Sequence, residues 1–237
     1  MLCPKPSYFL FAAIGLLAAS GSLPAQTTPN SSPAATASPA PAIEAPNGPE
    51  SMEEPQTADH WTYELRDDIT GDVKSTITNT VTDVSSSEIG TRVGLLGNAN
   101  SGYQTFDHSW NLINNGIWRY TPNDGTGIKP PLAAGKTWAF KSTDFNSTAG
   151  ASWKRTGKSK VLGQESLTTR AGTFDTFKIE TTIQVQNAND PTKKVQVEQQ
   201  TWYAPAIDHW VKRTAVSRSD GRVREKTTTE LVEYGRR

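Results

Sequence analysis

The sequence predicts an all-β chain: a single strongly curved antiparallel sheet, half-barrel or barrel-like, of about ten strands with little helix. Three observations carry that prediction. Apolar residues recur at every second position with Thr between them, which buries one face of a strand and wets the other. No window holds a sustained i, i+3, i+4, i+7 apolar stripe. Turn-forming Gly, Asn and Asp fall between the alternating runs, as hairpins require.

Residues 1–25 read as a signal peptide. Lys5 precedes an apolar run from Tyr8 to Ala19, and Ser20-Gly21-Ser22-Leu23-Pro24-Ala25 supplies small residues before Gln26. The run is too short for a bilayer span, which takes about 20 residues, and no later stretch approaches that length, so an integral membrane protein is not expected. The single cysteine, Cys3, stands ahead of the apolar run, whereas a lipoprotein cysteine follows it. The expectation is therefore an exported protein, periplasmic or secreted, that is not lipid-anchored. Without Cys3 no thiol remains for a disulfide, a nucleophile or a thiolate metal site.

Residues 26–56 form a Pro/Ala/Ser/Thr-rich linker with four Glu and no Lys, Arg or aromatic residue. Such a segment buries too little apolar surface to offset its ordering entropy and is expected to be disordered. In polyproline geometry it reaches roughly 90 Å.

The β domain is expected over 57–237. Its first strands are read from Trp61, Tyr63 and Leu65, from Val73, Ile77 and Val81, and from Ile89, Val93 and Leu95. Later ones come from Phe177, Ile179, Ile183 and Val185, and from Val195 and Val197. Thr70-Gly71, Asn115-Gly116, Asn123-Asp124-Gly125, Ala171-Gly172, Asn189-Asp190-Pro191 and Asp220-Gly221 mark turns, and Pro130-Pro131 a loop dividing two halves.

The 24 basic and 24 acidic residues give a net charge of zero. Setting aside Lys5 and the four linker Glu leaves 23 basic and 20 acidic residues in the domain. That balance argues against nucleic acid, because neutralising phosphates needs a concentrated basic excess. The run Lys154-Arg155-Thr156-Gly157-Lys158-Ser159-Lys160 reads as a solvated strand edge, where Lys blocks edge-to-edge pairing, with docking on an anionic envelope polymer or lipid head group as the alternative.

No catalytic site, metal site or cofactor is assigned. His60, His108 and His209 lack any ligand-aligning spacing. Gly135-Lys136-Thr137 is followed by a strand rather than a helix, so it is not a phosphate loop. Asp107-His108-Ser109 and Asp208-His209 place neighbours on opposite faces of a strand, so neither His has its adjacent Asp as an orienting partner. No Gly-x-Ser-x-Gly elbow occurs. The seven tryptophans say more. Trp61 and Trp138 open alternating strands and read as core. Trp110, Trp118, Trp153 and Trp210 have polar or basic neighbours and are the candidate ligand-binding residues, lining a cavity or a platform for acyl chains or sugar rings. Barrel-end plugs and rim packing are the alternative for those four.

Three segments carry a resemblance. They are Pro131-Leu132 through Gly135-Lys136-Thr137-Trp138; Val161-Leu162-Gly163-Gln164-Glu165 with Ala171-Gly172-Thr173-Phe174-Asp175-Thr176-Phe177-Lys178-Ile179-Glu180; and Thr201-Trp202-Tyr203-Ala204-Pro205 with Val211-Lys212-Arg213 and Glu230-Leu231-Val232-Glu233-Tyr234. Over 131–235 the chain resembles a family of exported bacterial β-sheet proteins of unknown function. Their curved sheets look similar to the half-barrels of periplasmic lipoprotein carriers. One departure stands out: Ile207-Asp208-His209 replaces a Gly-containing turn. The resemblance and the aromatic load together imply a non-enzymatic binding or carrier module for an apolar or amphipathic envelope ligand, with a lipid, lipoprotein or glycan as candidate partner. An envelope interaction or structural protein, and a glycan-acting hydrolase or carbohydrate-binding module, are the alternatives.

Overall fold

The computed structural model describes Met52 and residues 54–236, which fall within one compact unit, Glu50–Arg237. The signal peptide expected over 1–25 and the linker up to 51 lie outside the described residues. Twelve strands follow in order: β1 (His60–Asp67), β2 (Val73–Val84), β3 (Ile89–Leu95), β4 (Ser101–Phe106), β5 (Leu112–Asn114), β6 (Trp118–Thr121), β7 (Thr137–Asn146), β8 (Ala151–Thr169), β9 (Gly172–Asn187), β10 (Lys194–Ala204), β11 (His209–Ser219) and β12 (Arg222–Gly235). A 3₁₀ turn, Pro205–Ile207, is the one helical element among the described residues. Each strand pairs antiparallel with the next, and β12 returns to β1, so the sheet closes into a barrel.

The all-β antiparallel class is as expected; of the half-barrel and barrel-like alternatives the structure is a closed barrel, and the count of about ten strands is corrected to twelve. The count falls short because β5 and β6 hold three and four residues, too few for period-two alternation to register. The sequence leaves half-barrel and barrel undecided because alternation fixes which face a residue takes and not which strand lies beside it. The closing pair runs from His60↔Gly235 to Asp67↔Thr227, residues from opposite ends of the domain. The turns fall where Gly, Asn and Asp predict them: Gly71 and Gly221 take positive φ between β1 and β2 and between β11 and β12. Pro130-Pro131 lies in the β6–β7 connection, with six strands on each side.

Cross-strand partners share a face, so the register identifies the inner wall. One continuous row runs Val161, Ile179, Thr201, Arg213, Thr229, Leu65, Ser75 across β8 to β12 and on to β1 and β2. A second runs Ser159, Thr181, Gln199, Ala215, Thr227. Much of this wall is buried yet polar, with Ser159 bonded to Thr181 at 2.9 Å and Gln199 to Thr201 at 3.1 Å. The apolar core concentrates around Trp61, Tyr63, Val81, Ile89, Trp110, Val211 and Leu231, with a smaller cluster of Ile128, Val161 and Ile179.

Strand β10 is also covered on its other face. Trp202 is buried there between Lys178 and Lys212, whose ammonium groups lie 4.7 and 5.8 Å from its ring. Met52 joins the same core and donates its N–H to Ala206 at 2.9 Å. The basic run departs from a solvated edge: Lys154, Lys158 and Lys160 are exposed, but β8 lies between β7 and β9, and Arg155 is buried against Asp144 at 2.8 Å.

Candidate functional site

Two connections build one end of the site. In the β4–β5 turn, Asp107 accepts the N–H groups of Ser109 and Asn111 and the side-chain amides of Asn111 and Asn123. In the β6–β7 connection, Asp124 accepts from Leu112 N–H at 2.9 Å, Gly127 donates to Asn111 Oδ1 at 2.7 Å, and Ile128 donates to Ser109 O at 2.7 Å. A Cβ on Gly127 would fall 2.2 Å from Ser109 O, so only glycine permits this approach. These bonds hold His108, Ser109, Trp110 and Ile128 in fixed positions.

The β10–β11 corner supplies the other side. Pro205–Ile207 makes a single 3₁₀ turn that ends on Asp208 at φ 42°. This is the place where a glycine was expected, and Asp holds the left-handed conformation through its side chain. Its carboxylate accepts from Trp110 Nε1 at 3.0 Å and from the Tyr203 hydroxyl at 2.5 Å. Trp110 itself has φ 59°, an outlier for so bulky a residue. Two non-glycine residues at positive φ thus bond to each other across the barrel end, a concentration of backbone strain typical of functional sites.

Between these connections lies a pocket of about 220 Å³ lined by His108, Ser109, Trp110, Ile128, Pro130, Leu132, Phe177, Tyr203, Pro205 and Asp208. Its walls are mainly apolar; His108, Ser109, Tyr203 and Asp208 are the polar lining residues, and the Tyr203 hydroxyl is bonded to Asp208. Burial pushes the Asp208 carboxyl above its ordinary range, opposed by the hydrogen bonds from Tyr203 and Trp110. Burial and then the Asp208 charge push the Tyr203 phenol up. His108 donates Nε2–H to Ser85 O at 2.7 Å, which ties the pocket rim to the β2–β3 turn.

Behind Trp110 stands a buried aromatic cluster. The His209 ring lies 4.5 Å from Trp110 and 4.6 Å from Trp61, and Tyr63 stacks on Trp210 at 3.9 Å. Trp210 N–H donates to His209 Nδ1 at 3.0 Å, and the Tyr63 hydroxyl donates to Trp210 O at 2.8 Å. Burial, followed by the nearby Arg213 charge, lowers the His209 pKa to about 3, so the imidazole is neutral at ordinary pH. Asp208 and His209 indeed serve different partners.

The four candidate tryptophans divide into two groups. Trp110 lines the pocket, and Trp210 lies in the adjoining cluster with the Arg213 guanidinium 4.6 Å from its ring. Trp118 and Trp153 belong elsewhere, opposite Asn146 and Asp144 on either side of β7. Their shared face also carries Tyr120 and the Arg155–Asp144 pair, where Arg155 lies 5.2 Å from the Tyr120 ring and Ser142 donates to Asp144 at 3.0 Å. Sequence reasoning missed Ile128, Leu132, Phe177 and Tyr203, which the topology brings together from distant positions. Asp208 did leave a signal, as the acid standing where a turn glycine was expected. Among the described residues, no group of three or more His, Cys, Asp or Glu could hold a metal ion, and no helix is long and apolar enough to cross a membrane.

Comparison with known proteins follows the fold. The DUF3108-like family matches residues 141–220, inside the segment that carries the sequence resemblance. No match is found among curated proteins. A Parabacteroides distasonis ATCC 8503 protein described as a "putative lipoprotein" aligns with TM-score 0.50 and 16% identity, over 78% of this chain and 99% of its own. An exported protein of YmcC-like fold from Bacteroides fragilis NCTC 9343 aligns with TM-score 0.50 and 12% identity, over 79% and 98%. The hypothetical lipoprotein YmcC of Escherichia coli K12 aligns with TM-score 0.45 and 10% identity, over 74% and 84%. The expectation of a protein that is not lipid-anchored is corrected by the first of these likenesses, because the fold occurs on a chain described as a lipoprotein. The physical reason is that a β-barrel fold by itself does not exclude an anchor on the chain that carries it. The likeness is one of fold, to proteins described as a lipoprotein and an exported protein, and the family match is confined to residues 141–220.

Proposed function

We propose that the barrel is a non-enzymatic binding module that takes the apolar end of an amphipathic envelope ligand into the pocket beside Trp110. The observation that carries this reading is the pocket itself: apolar walls from Ile128, Leu132, Phe177 and Pro130 with a few polar lining residues, His108, Ser109, Tyr203 and Asp208. A few placed polar groups in an apolar concavity is the usual construction of a small-molecule site. At about 220 Å³ the pocket is smaller than sites for drug-sized ligands, which span roughly 300–1,000 Å³. It therefore suits one end of an acyl chain or a single ring rather than a whole lipid. Strain at Trp110 and Asp208, and the zipped connections around them, support a preformed wall that needs little ordering on binding. Pairing of a strand edge with an envelope partner finds less support, since every strand has two hydrogen-bonded neighbours.

The test is a displacement titration with the environment-sensitive probe 1-N-phenylnaphthylamine on the full chain and on Ile128→Trp, which fills the pocket. Saturable probe fluorescence that 1-decanol displaces, and that Ile128→Trp weakens by about tenfold or more, is expected. Equal probe binding by a folded Ile128→Trp protein would remove the pocket from the account.

A further inference from the structure

We infer that Arg213 is the anion-binding residue of the barrel interior, receiving a carboxylate or phosphate oxygen carried by the ligand. The inference rests on the pocket reading above and names the polar end of the same ligand.

The placement of Arg213 carries it. Arg213 lies in the inward row between Thr201 on β10 and Thr229 on β12, flanked by the buried Ile179 and Leu65. Thr201 is two residues from the pocket residue Tyr203 on β10. The guanidinium stacks over Trp210 at 4.6 Å, and its Nε–H donates to Thr201 Oγ1 at 3.3 Å. Among the described residues no carboxylate pairs with it, whereas the other inward arginine, Arg155, is bonded to Asp144 at 2.8 Å. Asp124 is the acid whose field reaches Arg213, but its oxygens accept from Leu112 N–H, Thr126 N–H and the Thr126 hydroxyl.

A half-buried cation that no carboxylate contacts directly is costly, and structures ordinarily pair it. Here the Nη groups have no protein acceptor among the described residues, and they are not among the buried orphaned atoms either. Arg213 is half-buried, and its row partners Thr201 and Thr229 belong to an inner wall of Thr, Ser and Gln. The planar fork of an arginine, held flat by an indole and steered by Thr201, is suited to carboxylate or phosphate oxygens. Burial pulls the Arg213 pKa below its ordinary value, which agrees with a poorly solvated charge.

Calorimetric titration of the full chain, stripped of bound lipid, with decanoate, decyl phosphate, 1-decanol, acetate and inorganic phosphate tests this, alongside Arg213→Gln. Decanoate or decyl phosphate should bind the parent chain about tenfold or more tighter than decanol, and Arg213→Gln should remove that preference while leaving decanol binding within about twofold. Acetate or phosphate binding as tightly as decanoate, with the same dependence on Arg213, would keep the anion site, assign it to free anions and overturn the pocket reading. Equal binding of decanoate and decanol would overturn the anion site and leave the pocket. No binding of any probe would overturn both. Should Arg213→Gln fail to fold, protection of Arg213 from phenylglyoxal in the parent chain, read by peptide mass spectrometry, replaces it. Decanoate should slow modification at least fivefold where decanol does not, and equal rates would overturn the anion site.

Discussion

Asp208 shows how one residue sets the shape of the site. A left-handed conformation costs a non-glycine residue about 1–2 kcal/mol, and the bonds from Trp110 and Tyr203 offset that cost. Asp208→Ala keeps the strain and leaves two buried donors unpaired, so it should lower unfolding free energy in urea by about 2–4 kcal/mol. Asp208→Gly loses the same bonds but relieves the strain, and should recover about 1 kcal/mol of that loss. His209 belongs to the same scale. In the folded protein it stays neutral down to about pH 3, whereas the unfolded imidazole takes up a proton near 6.5. The unfolded state therefore binds the extra proton in that window, and stability falls on acidification by up to about 1.4 kcal/mol per pH unit. Asp208 and Asp144, whose carboxyls burial raises, act in the opposite direction because they protonate first in the folded state. Comparing urea unfolding of the parent and His209→Asn from pH 7 to 4 isolates the histidine: the difference should shrink as pH falls. A constant difference would mean that His209 is protonated in the fold.

Among the elements, β8 reverses its apparent sequence character. Its alternation places Lys154, Lys158 and Lys160 outward and Arg155, Gly157 and Ser159 inward. Arg155→Met strands the buried Asp144 carboxylate, and a loss of about 3–5 kcal/mol in urea unfolding is expected. Gly157 faces Phe140 so closely that a Cβ would sit 2.1 Å from the ring. Gly157→Ala should therefore destabilise by about 1–3 kcal/mol, as overpacking does, and Gly157→Ala with Phe140→Leu should recover part of it. What the sequence made legible here was local. Apolar residues at alternating positions announced β1, β2, β3, β9 and β10, and Gly, Asn and Asp announced turns. What stayed hidden was pairwise: that Arg155 meets Asp144, that Trp118 and Trp153 flank β7, and that β5 and β6 are strands at all. Those facts depend on register between segments, which a period-two pattern does not encode.

For the barrel as a whole, closure decides what the surface and interior can do. It removes the open edges that a half-barrel would present and creates an inner wall that is buried but rich in hydroxyl and amide groups. The candidate site sits where the β4–β5, β6–β7 and β10–β11 connections meet, so its residues come from positions 108 to 208. Of the four tryptophans singled out from the sequence, Trp110 alone lines that pocket, because indole-rich composition reports an aromatic load without its location. The most direct measurement is a crystal structure of the protein with 10-bromo-1-decanol, its bromine located by anomalous scattering. The account predicts a bromine peak between Trp110, Ile128, Leu132 and Phe177. A fully occupied bromine elsewhere, with this pocket unchanged, would contradict it.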